Sequence, residues 1–385
     1  MSTTAIDQVL TSAVTAGDVP NVTAVAADRN GIVYEGSAGP RVVGQPDPIG
    51  PDSMLRIASQ TKMVATVAAL QQVERGNLEL DAPVDIYLPE FADIRVLEGF
   101  DGDTPKLRPA GARGTVRQLV THTTGLGYDF FNADIARWQS VTGTPNVMSG
   151  STAIFTAPLT CDPGTRFEYG INSDWLGRVV EVVSGQSLDA YLDANVLGPL
   201  GMHSTTFMMT DQQRANSVPV HMRGEDGAWA ATEVDWSQQP QWWAGGHGLY
   251  STARDYLAFQ RMLLGEGTLG DTTILEPATV AAAFTNQIGS LDFPASIPTA
   301  DPVTTCEVNL GPGLKWGYGL LLNTERQPGM RAAGSGAWAG IFNTHYWIDP
   351  ASGIAAAIYT QTLPFVEPRA LQLYVDFERA LYASL

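Results

Sequence analysis

Lysine is almost missing from this chain. Only 3 of its 22 basic residues are lysines, and 40 acidic residues leave a formal net charge of −18 over 385 residues. That balance argues against nucleic acid and anionic membranes as partners, since both are held by basic patches. Cysteine is as scarce: Cys161 and Cys306 cannot build a disulfide framework, and both are expected as free thiols. No Cys/His cluster has zinc-site spacing, and neither H-E-x-x-H nor a phosphate-cradling glycine loop occurs, so no metal and no other cofactor is implied. No apolar run reaches membrane-spanning length. The start, Met1 to Asp7, lacks the basic and apolar regions of a secretory leader, which predicts a cytoplasmic protein. No serine lies in G-x-S-x-G, so the nucleophile elbow of the α/β-hydrolases is excluded.

What the chain does contain is one lysine in a telling place. Ser59-Gln60-Thr61-Lys62 follows the β-like stretch Met54–Ala58 and opens a helix in which Met63, Val64, Val67, Leu70 and Val73 are spaced to bury one face, ending at Gly76. One helical turn separates Ser59 from Lys62, so hydroxyl and amine share a face. A serine hydroxyl attacks only when a neighbour takes its proton, and a lysine whose pKa is lowered can do so. Arginine, the other 19 basic residues, stays protonated. With 3 lysines and 20 serines, S-x-x-K arises by accident roughly 0.16 times in such a chain, so a solvated helix with an N-cap serine competes with catalysis on this motif alone.

A hydrophobic content of 44% is that of a globular protein with a sizeable core. Patterning predicts a helix over 4–16, strands at 22–27 and 31–35, and then the Ser59 helix. Between about 80 and 240 the texture is helical and loop-rich, with helices at 115–120, 174–183 and 187–196. Strands return at 318–322, 343–348 and 353–359, and a helix over 370–382 closes the chain. The expected organisation is an α+β sheet unit built from residues 1–80 and 245–385, a mainly helical subdomain at 81–244, and a cleft between them.

Further segments, taken in order, define a resemblance. They are Gln118-Leu119-Val120-Thr121-His122-Thr123-Thr124-Gly125-Leu126, Pro163-Gly164-Thr165-Arg166-Phe167-Glu168-Tyr169, Pro199-Leu200-Gly201-Met202, Gly248-Leu249-Tyr250-Ser251-Thr252-Ala253 and Trp338-Ala339-Gly340. Together with Ser59–Lys62 they resemble the serine β-lactamase and penicillin-binding-protein superfamily. Within it the chain is most similar to the family VIII carboxylesterases, which share the class C β-lactamase fold. The resemblance implies an antiparallel sheet flanked by helices with an inserted mainly helical subdomain. It also implies Ser59 as nucleophile and acyl carrier, with Lys62 and Tyr169 as the acid/base pair. A protonated Lys62 would stabilise a Tyr169 phenolate, and the two would titrate as one unit. The backbone N–H groups of Ser59 and Ile341 would form the oxyanion hole, and Trp338, Ala339, Gly340 and His247 would touch substrate.

The chain departs from the lactamase pattern twice. Asn172 follows Tyr169 one position late for Tyr-x-Asn, and Trp338-Ala339-Gly340 stands where lactamases have Lys-Thr-Gly. An indole in place of a cation removes attraction for an anionic substrate and adds an apolar wall. The expected activity is therefore hydrolysis of short-chain or aromatic esters, with a small-molecule ester as the partner. A β-lactamase, D-amino-acid peptidase or amidase is the first alternative, and a catalytically silent ligand-binding protein the second. His122, His203, His221 and His345 read as structural, and Trp236, Trp242 and Trp243 as core.

Overall fold

The computed structural model describes residues 3–385; Met1 and Ser2, where the segment read for a leader begins, lie outside the described residues. Seven strands form the main sheet: β1 (Val22–Asp28), β2 (Ile32–Ala38), β3 (Lys315–Trp316), β4 (Leu321–Leu322), β5 (Gly336–Gly340), β6 (Thr344–Asp349) and β7 (Ile354–Tyr359). Their order is β3-β4-β5-β6-β7-β1-β2, antiparallel throughout. The two ends of the chain meet in it, with Thr23 opposite Tyr359 and Asp28 opposite Ile354.

Five helices frame the sheet and the site: α1 (Thr4–Thr15), α2 (Thr61–Glu74), α3 (Asn172–Ser184), α4 (Ala253–Leu264) and α5 (Pro368–Ser384). Because side chains alternate along a strand, β1 sends Val22, Ala24 and Ala26 to one face and Val25 and Ala27 to the other. The first set packs with Ile6 and Leu10 of α1 and Leu373, Phe377 and Leu381 of α5. The second set joins the larger core with Val64 and Val67 of α2 and Leu257 of α4. Both faces are covered, so β6 and β7 are buried along their whole length.

Three expectations differ from the structure. The predicted strand over 318–322 is only Leu321–Leu322; Gly317 N–H bonds back to the Leu320 carbonyl, and Gly319 takes φ 73°, so the segment is the turn of a hairpin. The middle, read as helical and loop-rich, also holds two small hairpins, Val96–Asp101 with Thr104–Arg108 and His221–Arg223 with Trp229–Ala231. Helix α2 does not bury one face only: every residue from Thr61 to Gln72 is buried. Its polar members are bonded accordingly, Gln71 to the carbonyls of Asn195 and Ile274 and Gln72 to the Tyr191 hydroxyl.

Candidate active site

A short helical turn, Ala58–Gln60, delivers Ser59 to the start of α2. Ala58 takes φ 48°, a left-handed conformation that is uncommon outside glycine and sharpens the turn. Strand β5 passes hard against it. A Cβ on Gly340 would lie 2.4 Å from the Ile57 carbonyl oxygen and 3.2 Å from the Ala58 Cβ, so only glycine allows this approach. Strand β4 pairs with Gly336 and Ala337 alone, which leaves the edge from Trp338 to Gly340 free of a strand partner on that side. Ile341, in the turn after β5, lines the same cavity as Ser59.

Lys62 is 1% exposed, and its amine is fully engaged. Nζ donates to Ser59 Oγ at 3.1 Å, to the Tyr128 hydroxyl at 2.9 Å and to the Gly246 carbonyl at 2.7 Å. Burial lowers its pKa to about 7, and the buried carboxylate of Asp174 pulls the other way. The Tyr169 hydroxyl lines the cavity with Ser59 and accepts the Trp338 indole N–H at 3.0 Å, while Lys62 Nζ lies over its ring, 4.7 Å from the centroid. Burial raises the Tyr169 pKa despite that bond. Burial thus favours the neutral amine and works against the phenolate expected of Tyr169.

Ser59, Tyr169 and Trp338 open onto a cavity of about 300 Å³. Its wall continues through Phe130, Phe131 and Leu314 and reaches Leu371 of α5. Trp338 is held by edge-to-face contact with Trp316, ring centroids 4.7 Å apart, and with Tyr169 at 5.0 Å. Arg331 also lines the cavity, but Glu378 binds its guanidinium through both carboxylate oxygens, so the wall offers no free cation.

This arrangement has relatives. Residues 6–381 match the beta-lactamase family. The chain belongs to that family. It is 29% identical to monacolin J acid methylbutanoyltransferase of Aspergillus terreus, over 97% of this chain and 94% of the relative. It is 32% identical to lovastatin esterase of Penicillium rubens, over 89% of each. The unliganded structure of simvastatin synthase from Aspergillus terreus superposes with a TM-score of 0.82 at 27% identity, over 98% of this chain and 97% of that one. The α+β, β-lactamase/transpeptidase-like architecture follows, and this member of the beta-lactamase family is a serine hydrolase.

Within the family frame the structure separates the residues singled out from sequence. Ser59, Lys62, Tyr169, Trp338, Ala339, Gly340 and Ile341 are brought together. His247 is not among them. It is buried beside a second, much smaller cavity among Trp236, Trp242 and Phe207, with Nδ1 3.8 Å from Asp174, and it does not line the Ser59 cavity. Asn172 is consumed by the scaffold. Its amide donates to His122 Nδ1, to the Leu126 carbonyl and to the Glu168 carbonyl, and it accepts from the Thr124 hydroxyl. His122 is likewise buried, as a structural residue should be.

Sequence reasoning missed Tyr128 and Asp174. Tyr128 stands two residues beyond the Gln118–Leu126 segment, inside Gly125-Leu126-Gly127-Tyr128, where the glycines were the available signal. Asp174 is a carboxylate in the first turn of a helix otherwise rich in apolar residues, a position that reads as ordinary helix chemistry. Among the described residues no group of His, Cys, Asp and Glu could hold a metal ion, both cysteines are unpaired, and no helix is long and apolar enough to cross a membrane.

Proposed function

We propose that the protein is a serine carboxylesterase that hydrolyses short-chain or aromatic carboxylic esters through an acyl-enzyme on Ser59. The observation that carries this reading is the meeting of Ser59, Lys62 and Tyr169 at the mouth of an apolar cavity walled by Trp338. Neutral Lys62 takes the Ser59 proton as Oγ attacks the ester carbonyl. The N–H groups of Ser59 and Ile341 receive the developing oxyanion. Tyr169, still protonated, gives its proton to the leaving alkoxide and is refilled from the Lys62 ammonium. Water then repeats the sequence on the acyl-enzyme and restores Ser59.

Ester rather than lactam is favoured because Trp338 supplies an indole where a cation would hold a carboxylate, and Arg331 is neutralised by Glu378. The burial of Asn172 points the same way, against the β-lactamase, D-amino-acid peptidase and amidase alternative. The complete Ser59–Lys62–Tyr169 set speaks against a silent binder. The walls come both from residues 1–80 and 245–385 and, through Phe130, Phe131 and Tyr169, from residues 81–244, which supports reading these as two subdomains around the cleft. Acyl transfer to an alcohol is a second reading. Relatives named for methylbutanoyl transfer favour it, and the apolar wall would favour an organic acceptor over water.

The test is turnover of p-nitrophenyl butyrate by wild type and Ser59→Ala, with circular dichroism matched. Loss in the variant is the expected result; equal activity in both would remove Ser59 as the nucleophile. Adding a simple alcohol and measuring ester exchange against hydrolysis separates the second reading from the first.

A further inference from the structure

A single residue, Gly246, joins the Lys62 amine to a carboxylate outside the Ser59 cavity. Nζ donates to the Gly246 carbonyl at 2.7 Å, and the Gly246 N–H donates to Asp174 Oδ1 at 2.7 Å. Gly246 is glycine for a physical reason: a Cβ there would sit 2.6 Å from Asp174 Oδ2. Asp174 is 0% exposed, Oδ2 accepts no hydrogen bond from any described residue, and the ring nitrogen within 4 Å of the carboxylate belongs to His247, which burial keeps neutral. A half-satisfied buried carboxylate is expensive. Receiving the Gly246 N–H does not require a charge, since an asparagine oxygen would serve. What the carboxylate adds is a negative charge on the far side of the glycine whose carbonyl fixes the amine.

The groups facing this pair come from four segments. Lys62 projects from α2, His122 and Tyr128 from the stretch after residue 115, Tyr169 from the loop before α3, and His247 from beside Gly246. Burial keeps both tyrosines protonated. Burial first, and the charge of Lys62 second, keep both histidines neutral. Lys62 and Asp174 are the members of this cluster left to change charge near neutrality, because burial lowers the first and raises the second.

We propose that Asp174 is a positioning residue for Lys62: its carboxylate anchors Gly246 through the N–H, holding the carbonyl that fixes the amine, and its negative charge favours the protonated amine and so governs when Ser59 is activated. The inference rests on Lys62 being the base, as read under Proposed function.

The test is the rate at which a fluorophosphonate labels Ser59 as a function of pH in wild type and Asp174→Asn. The label needs no ester substrate, so the protein's failure as an esterase and the failure of this inference are told apart. With the charge removed, Lys62 loses its proton more readily, and the acid limb should move down by about one pH unit, making labelling on that side about tenfold faster relative to the plateau. An acid limb that stays in place overturns the proposal; a wild type with no acid limb overturns the reading of Lys62 on which it rests. Should Asp174→Asn fail to fold, the wild type decides. With three lysines in the chain, 15N-lysine NMR resolves Lys62, whose resonance should titrate in two steps as the neighbouring carboxylate changes charge. A single-step curve would refute the coupling.

Discussion

Replacing Lys62 by methionine should abolish activity and stabilise the fold, and the stabilisation should fade as pH rises. The amine is buried with its pKa lowered from 10.5 to about 7. At pH 7 and below, holding the ammonium in that place costs folding about 5 kcal/mol, by the conversion of about 1.4 kcal/mol per pH unit. Methionine fills the same space without the charge but forfeits the bonds to Ser59 Oγ, the Gly246 carbonyl and the Tyr128 hydroxyl, about 1 kcal/mol each. It also leaves Asp174 without its nearby cation, which pushes that carboxyl further towards its neutral form. The net gain is about 2 kcal/mol near neutrality.

The sign of the pH dependence follows from proton counting. Between pH 7 and 10.5 the unfolded chain keeps the Lys62 proton that the folded protein has released, so wild-type stability climbs with pH across that window. The methionine variant lacks this climb, and its isolated Asp174, whose raised pKa makes stability fall as pH rises, narrows the gap further. The difference should therefore swing by about 3 kcal/mol between about pH 7 and about pH 9.5, leaving the wild type the more stable of the two by about 1 kcal/mol. Urea unfolding of both proteins at the two pH values measures the difference. Parallel behaviour, with the gap unchanged by pH, would show that the buried amine is not held in a depressed state and would refute the argument.

Two further outcomes follow from the geometry. Trp338→Phe keeps an aromatic wall but removes the N–H donated to the Tyr169 hydroxyl; kcat/KM should fall about fivefold, the worth of one neutral hydrogen bond. Steady-state kinetics check it, and an unchanged constant would deny that bond a part in holding the phenol. Gly340→Ala drives a methyl into the Ile57 carbonyl and the Thr344 hydroxyl, so β5 must retreat from the Ser59 turn and kcat should drop about 10²-fold while the protein stays folded. Near-normal kcat with normal circular dichroism would show that the approach of β5 is dispensable.

How much of this was legible beforehand depended on whether a residue acts through its neighbours in sequence or in space. Ser59-Gln60-Thr61-Lys62 pairs hydroxyl and amine by helical spacing alone, and the structure brings them to 3.1 Å. The alternating apolar runs at 22–27 and 353–359 are strands because local pattern and burial agree. By contrast, the turn at Gly317–Leu320 hides inside an apolar run, and the all-round burial of α2 depends on the sheet, α3 and loops closing over it.

Composition and local spacing by themselves determined the scarcity of lysine, the Ser59–Lys62 pair, the strand patterns at both ends and the ordered segments of the family. Tertiary structure alone decided the chemistry of the pair. A pKa is set by how much water is removed and which charges remain nearby, and those come from chain segments far apart: Tyr128, Tyr169, Asp174 and Gly246 reach Lys62 from positions 66 to 184 residues away. The same logic divides the two histidine readings. His247 carries a loop motif that suggests a substrate contact, yet packing turns it towards Asp174 and the indoles of Trp236 and Trp242, because the side on which a buried ring lies is fixed by what fills the space around it.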